Sequence, residues 1–171
     1  MYENFPGGEV GAEIAAQRFA APPGPIPVKI AVVKPGKLFK FVAKGDFVLP
    51  DQTFDFPTNG GAELILTGLS GGGRSYVLPP DCWKGLGPGG DGSKGFKCKG
   101  VPCKVTGKQK VIKGVCRDDT GDITVPQSGI GIQLILGTGT TRYCGLCGGT
   151  PKGNPDTVFK HKDCAAPLLC P

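Results

Sequence analysis

Histidine is almost missing from this chain: His161 stands alone among 171 residues. That excludes a three-histidine metal centre and histidine-brace copper chemistry. Cysteine is absent before Cys82, so covalent cross-linking is confined to the second half. No apolar run approaches the roughly 18 residues needed for a membrane-spanning helix. Glu9, Glu13 and Arg18 break up the N-terminal stretch, which therefore offers no signal-peptide core. A secretory leader is then expected to have been removed, or the chain to be an excised segment. Long helices are lacking too. Glycine (30) and proline (17) together make up roughly 27% of the residues, and neither is tolerated inside a long helix. Helical bundles and doubly wound α/β folds are excluded on that ground. Full disorder is not expected either, because 39% of the residues are hydrophobic.

What remains is strand-like. Residues 28–33 form a β-branched run that stops at Pro35-Gly36, and residues 37–43 alternate, with Phe39 and Phe41 on one face and Lys40 on the other. Further strands are expected at 47–49, 62–67, 75–78, 94–98, 111–116, 122–125, 130–136, 141–144 and 157–160. Turn signals such as Asn59-Gly60-Gly61 and Asp119-Thr120-Gly121 separate nearly all of them. Short strands at this spacing imply an all-β, two-sheet β-sandwich. Its expected core is Phe39, Phe41, Leu64, Leu66, Val77, Trp83, Phe96, Val111, Val115, Ile132, Leu134 and Leu136. Residues 1–27, with a short helix at 12–21 and the cluster Pro22-Pro23-Gly24-Pro25, are expected to form an extended N-terminal arm, and residues 28–171 the sandwich.

The eight cysteines are Cys82, Cys98, Cys103, Cys116, Cys144, Cys147, Cys164 and Cys170. Their even number and irregular spacing suit disulfides formed in an oxidising compartment, with 105 connectivities open to them. The alternative is a four-thiolate zinc site built on Cys144-x-x-Cys147 with Cys164 and Cys170. Other constellations are weaker. His161 with Asp163 and a cysteine could form a nucleophilic site, but flanking lysines argue for an exposed loop. Asp118 to Asp122 could ligate calcium or simply form a polar turn. Asp51, Asp55, Glu63 and Asp81 supply carboxylates, with nothing to bring two of them together. The stretches 71–73 and 137–140 lack the Gly-Lys-Ser/Thr of a phosphate loop. No catalytic residue, cofactor or resident metal is therefore expected.

Several short motifs carry a resemblance. They are Leu78-Pro79, Cys82-Trp83-Lys84-Gly85-Leu86-Gly87, Gly95-Phe96-Lys97-Cys98, Pro102-Cys103-Lys104, Val115-Cys116-Arg117, Tyr143-Cys144-Gly145-Leu146-Cys147-Gly148-Gly149 and Leu169-Cys170-Pro171. Over roughly residues 37–171 the chain resembles an uncharacterised cysteine-containing β-rich domain, often found in tandem in secreted or surface proteins of environmental bacteria. The resemblance brings no catalytic residues. It implies the bridges Cys103–Cys116 and Cys144–Cys170. This chain departs from the pattern with Cys98 in place of an aromatic, Cys147 in place of Phe, and extra cysteines at Cys82 and Cys164. Set beside the pattern, those four imply two added bridges, Cys82–Cys98 and Cys147–Cys164.

Two surface roles follow. The segment carrying Ile26, Val28, Ile30 and Val32 sits after a proline hinge. It could add as a strand to the open sheet edge of another copy, giving a self-assembling structural module, or it could be the first strand of its own sheet. The basic run containing Lys97, Lys99, Lys104, Lys110 and Lys113 could bind anionic glycans or cell-wall polymer, with Trp83 or Tyr76 as a stacking platform, or could be a solvated face whose lysines protect sheet edges. Only Phe96 interleaves with these lysines, so nucleic acid is not an expected partner. The chain is read as a non-enzymatic extracellular or cell-surface module, structural first and polymer-binding as the alternative.

Overall fold

The computed structural model describes residues 23–50, 56–117, 120–137 and 141–170. It is an all-β sandwich of two sheets. The strands are β1 (Pro23–Pro25), β2 (Val28–Lys34), β3 (Leu38–Lys44), β4 (Ala62–Gly68), β5 (Gly73–Leu78), β6 (Trp83–Leu86), β7 (Gly95–Lys99), β8 (Cys103–Lys108), β9 (Val111–Arg117), β10 (Gly129–Leu136), β11 (Thr141–Gly148) and β12 (Phe159–Cys164). A single helical turn, α1 (Pro57–Gly60), lies between β3 and β4. Sheet A runs β1-β11-β10-β4-β5 and sheet B runs β12-β2-β3-β9-β8-β7-β6. All pairings are antiparallel except β1 with β11.

Period-two alternation builds the core. In β3, Phe39, Phe41 and Ala43 point inward while Leu38, Lys40 and Val42 point out. Phe39 stacks on Phe41 at 5.8 Å and on Tyr76 of sheet A at 6.4 Å, which joins the two layers. At the β6–β8 end, Phe96 is fully buried and meets Trp83 edge-on at 5.4 Å and Phe56 at 6.0 Å. Its ring occupies the space above Gly107, where an added Cβ would lie 2.2 Å from the ring. Gly145 similarly lets the sheets approach, since a Cβ there would stand 2.4 Å from the Val28 side chain. Each fully buried phenylalanine is worth about 1.5–3 kcal/mol relative to exposure.

Four disulfides close the fold: Cys82–Cys98, Cys103–Cys116, Cys144–Cys170 and Cys147–Cys164. This is the pairing that the resemblance implies, and it consumes the thiolates the zinc alternative needs. Cys82–Cys98 links the start of β6 to β7, and Cys103–Cys116 ties the directly opposed residues of β8 and β9. Cys147–Cys164 joins β11 of sheet A to β12 of sheet B, an inter-sheet staple. Cys144–Cys170 anchors the C-terminal segment on β11.

Several expectations need correction. Residues 47–49 and 122–125 are not strands, whereas β1, β6 and β8 are. Val77 is 77% exposed because its neighbours Tyr76 and Leu78 take the inward positions of β5. Val111 and Val115 likewise face outward, since Ile112, Gly114 and Cys116 fill the inner face of β9. The sandwich also reaches back past residue 28. Pro23–Pro25 pairs with β11, the Ile26 N–H bonds the Cys144 carbonyl at 2.8 Å, and Ile26 is buried. The helix expected at 12–21 and the rest of the arm through residue 22 lie outside the described residues.

Of the two readings of the segment after the proline hinge, the structure shows the second: β2 is an interior strand of its own sheet. β2 is bonded on one side to β12 and on the other to β3. Ile26 and Val28 are buried in the core, and Ile30 and Val32 stand half-buried on the outer face. Their backbone groups are committed within the sandwich, so this segment has no free edge to donate.

Candidate functional site

The pairing register of sheet B decides which basic residues share a face, because directly opposed residues point the same way. One outward row reads Lys84, Lys97, Thr106, Lys113, Val42, Ile30, Lys162 from β6 across to β12. The next reads Lys99, Lys104, Val115, Lys40, Val32, Lys160. Two shorter outward rows add Lys108, Val111 and Lys44, then Arg117, Leu38 and Lys34. None of these residues is in the buried class, and no carboxylate stands in any row. The longest row crosses seven strands, roughly 29 Å at the usual strand spacing.

These rows hold twelve of the chain's 20 basic residues. Among the described residues the basic side chains off these rows equal the acidic ones in number, so the net positive charge of the described part lies on this face. Like charges gathered on one face focus the field there. The ion pairs Lys29–Asp163 (2.9 Å) and Lys110–Asp46 lie off the rows. Lysine contacts and hydrogen bonding hold the exposed Asp163 carboxyl below its ordinary pKa, with Lys29 the main cause.

Two pairs stand out. Lys84 is directly opposite Lys97, and Lys99 is directly opposite Lys104. Directly opposed Cβ atoms lie about 5 Å apart, and like charges placed so are destabilising. Two ammonium groups about 6 Å apart repel by about 0.7 kcal/mol even in water. At physiological ionic strength the screening length is about 8 Å, so this repulsion persists. Edge protection accounts for Lys84 on β6 and for Lys160 and Lys162 on β12, which are the edge strands. It does not account for Lys40, Lys97, Lys99, Lys104 and Lys113, which stand on interior strands.

The structure therefore gathers Lys97, Lys99, Lys104 and Lys113 as expected and removes Lys110. That residue sits in the β8–β9 turn and pairs with Asp46. It adds Lys34, Lys40, Lys44, Lys84, Lys108, Arg117, Lys160 and Lys162. Alternation within residues 38–44 and 159–164 marks several of these as outward. The neighbour relations of β2 with β12 and of β3 with β9, which bring them together, are not visible in the chain order. Trp83 and Tyr76 cannot serve as stacking platforms, since both are buried, and the Trp83 indole N–H is committed to the Leu78 carbonyl at 3.3 Å.

Among the described residues, the other constellations do not assemble. Cys164 is bonded to Cys147, Asp163 faces Lys29, and His161 is left with the Lys162 carbonyl at 3.1 Å and the Cys164 sulfur at 3.5 Å. Glu63 accepts a hydrogen bond from Ser75, and Asp122 accepts one from the Gly73 N–H at 2.8 Å. Asp51, Asp55, Asp118 and Asp119 lie outside the described residues. A cavity of about 90 Å³ lined by Pro25, Ile26, Phe47, Val48 and Tyr143 is well below the roughly 300–1,000 Å³ of small-molecule sites. Among the described residues, no helix is long and apolar enough to cross a membrane. Comparison with protein-family models, with curated proteins and with solved structures finds no match for this chain.

Proposed function

We propose that the protein is a non-enzymatic extracellular or cell-surface module that binds an anionic polysaccharide along the outer face of sheet B. One observation carries the reading: an array of twelve cations, with no carboxylate in its rows among the described residues, that includes two directly opposed lysine pairs, Lys99–Lys104 on interior strands and Lys84–Lys97 at the β6 edge. A surface with no partner has no use for such repulsion, because threonine or glutamine would solvate the face without it. A polyanion removes the repulsion and gains from counterion release. Four disulfides point to an oxidising environment, which favours a glycan or cell-wall polymer over intracellular anions. The aromatic rings near the face, Trp83, Phe96 and Phe41, are buried, so base stacking does not support a nucleic-acid partner.

The test is retention of the purified protein on immobilised dextran sulfate, polygalacturonate and neutral dextran as a function of salt. Binding to the charged polymers should weaken steeply and linearly on a log–log salt plot, with none to neutral dextran. Absence of binding at low salt, or equal retention on neutral dextran, refutes the reading.

A further inference from the structure

The charge on this face is uneven. At the β12–β3 side, Lys160 and Lys162 share one face of β12, but Ile30, Val32 and Val42 stand between them and the nearest lysines of the interior strands. At the β6–β8 end the two opposed pairs meet, because Lys97 and Lys99 are two residues apart on β7 and so point to the same side. Four lysines thus share one corner of the sheet without an intervening apolar residue in their register.

The backbone beneath them is held from the inner side. Cys98, between Lys97 and Lys99, is bonded to Cys82, and Cys103, next to Lys104, is bonded to Cys116. Trp83, next to Lys84, is buried against Phe96. Each of the four lysines therefore projects from a residue whose neighbour is fixed in the core. The corner contains no arginine; the face's single guanidinium, Arg117, is on β9 beyond it. An arginine fork grips carboxylate and phosphate alike through a planar, bidentate contact, whereas separate ammonium groups act as point charges that respond to the number and direction of the free oxygens. They suit a tetrahedral oxyanion, which offers several free oxygens in different directions.

Resting on the polyanion reading, we propose that Lys84, Lys97, Lys99 and Lys104 form a discrete site for the tetrahedral oxyanion esters of a polysaccharide, sulfate or phosphate, in preference to the carboxylates of a uronate polymer. The rest of the face adds long-range attraction only.

The experiment compares three full-length, oxidised proteins: the wild type, a Lys84→Gln/Lys97→Gln/Lys99→Gln/Lys104→Gln variant, and a control Lys34→Gln/Lys40→Gln/Lys160→Gln/Lys162→Gln variant with the same loss of charge. All substituted side chains lie outside the buried class, and thermal melts verify folding. Calorimetric titration at fixed salt uses dextran sulfate, a phosphorylated dextran and polygalacturonate of matched charge density. The wild type is expected to bind the two esters at least tenfold tighter than the uronate. The corner variant should lose that preference and at least tenfold more affinity than the control. Equal losses in the two variants mean a diffuse field and overturn the site, while polyanion binding itself stands. Equal wild-type affinity for ester and uronate overturns the ligand class. Binding to none of the three polymers overturns the polyanion reading as well.

Discussion

Replacing Lys97 with glutamine should stabilise the fold. Lys97 faces Lys84 directly across β6–β7, shares its strand face with Lys99, and lies diagonal to Lys104. The direct neighbour stands at about 5–6 Å and the other two at about 7–8 Å. In water these separations give about 0.7 kcal/mol for the first contact and about 0.6 kcal/mol for each of the others before screening. The ammonium groups relieve part of this by splaying apart, and part persists in the unfolded chain, so a net gain of about 1 kcal/mol is expected at low salt. For a chain of this size that corresponds to an increase in Tm of about 2–4 °C. The assay is paired thermal and urea melts of Lys97→Gln and wild type, disulfides intact, from low salt to about 1 M, where the screening length falls to about 3 Å. The gain should shrink toward zero along that series, while affinity for dextran sulfate drops in the same variant. Unchanged or lower stability of Lys97→Gln at low salt, or a gain that survives 1 M salt, would refute the electrostatic account.

Three further outcomes are expected. Replacing both Cys147 and Cys164 by serine removes the inter-sheet staple, whose partners are 17 residues apart, and should cost about 3 kcal/mol on the chain-entropy model, measured by urea melts. Gly107→Ala drives a methyl group to 2.2 Å from the Phe96 ring and should destabilise by about 1–3 kcal/mol, whereas alanine at the open position Gly131, with no atom nearer than 3.8 Å, should be tolerated; unequal melts of the two variants check this. Burial raises the pKa of Tyr143, whose hydroxyl donates to the Val48 carbonyl, above the ordinary value of 10.0. Its folded form holds the proton where the unfolded chain releases it, so its contribution is full below about pH 10 and fades as pH rises beyond. Tyr143→Phe should flatten that alkaline loss, while costing about 1 kcal/mol at neutral pH for the lost hydrogen bond.

Period two made much of this fold legible. The residues of β3 state their own orientation, and Phe39 and Phe41 are buried where alternation puts them. The Lys99–Lys104 pair lies within one short hairpin, so its lysines were visible as a cluster. Valine misled, because a β-branched residue fits either side of a pleated strand, and Val77, Val111 and Val115 face outward. β8 is not legible as a strand because Gly107 interrupts its run of strand-forming residues, although that glycine leaves room for the Phe96 ring. Strand neighbours were the real gap. β12 comes from the end of the chain and lies against β2, which carries Lys160 and Lys162 onto a face begun more than a hundred residues earlier. No local pattern encodes that adjacency. It also fixed β2 as an interior strand and removed it as a donor to a neighbour.

The same magnitudes explain why the bridges and the lysines share one end of sheet B. The β6–β8 corner gives up core volume, since Gly95 and Gly107 contribute no side chains beside Phe96. It also carries lysine repulsion of about 1–2 kcal/mol across its two opposed pairs. A short edge strand under that load would fray into solvent, and β6 has only four residues. The bridges Cys82–Cys98 and Cys103–Cys116, each worth about 3 kcal/mol on the chain-entropy model, exceed the repulsion by a comfortable margin. Because they act largely on the unfolded chain, they offset the repulsion without neutralising it, as the proposed anion site requires. An acid placed in the row would relieve the repulsion just as well and would occupy the proposed anion site.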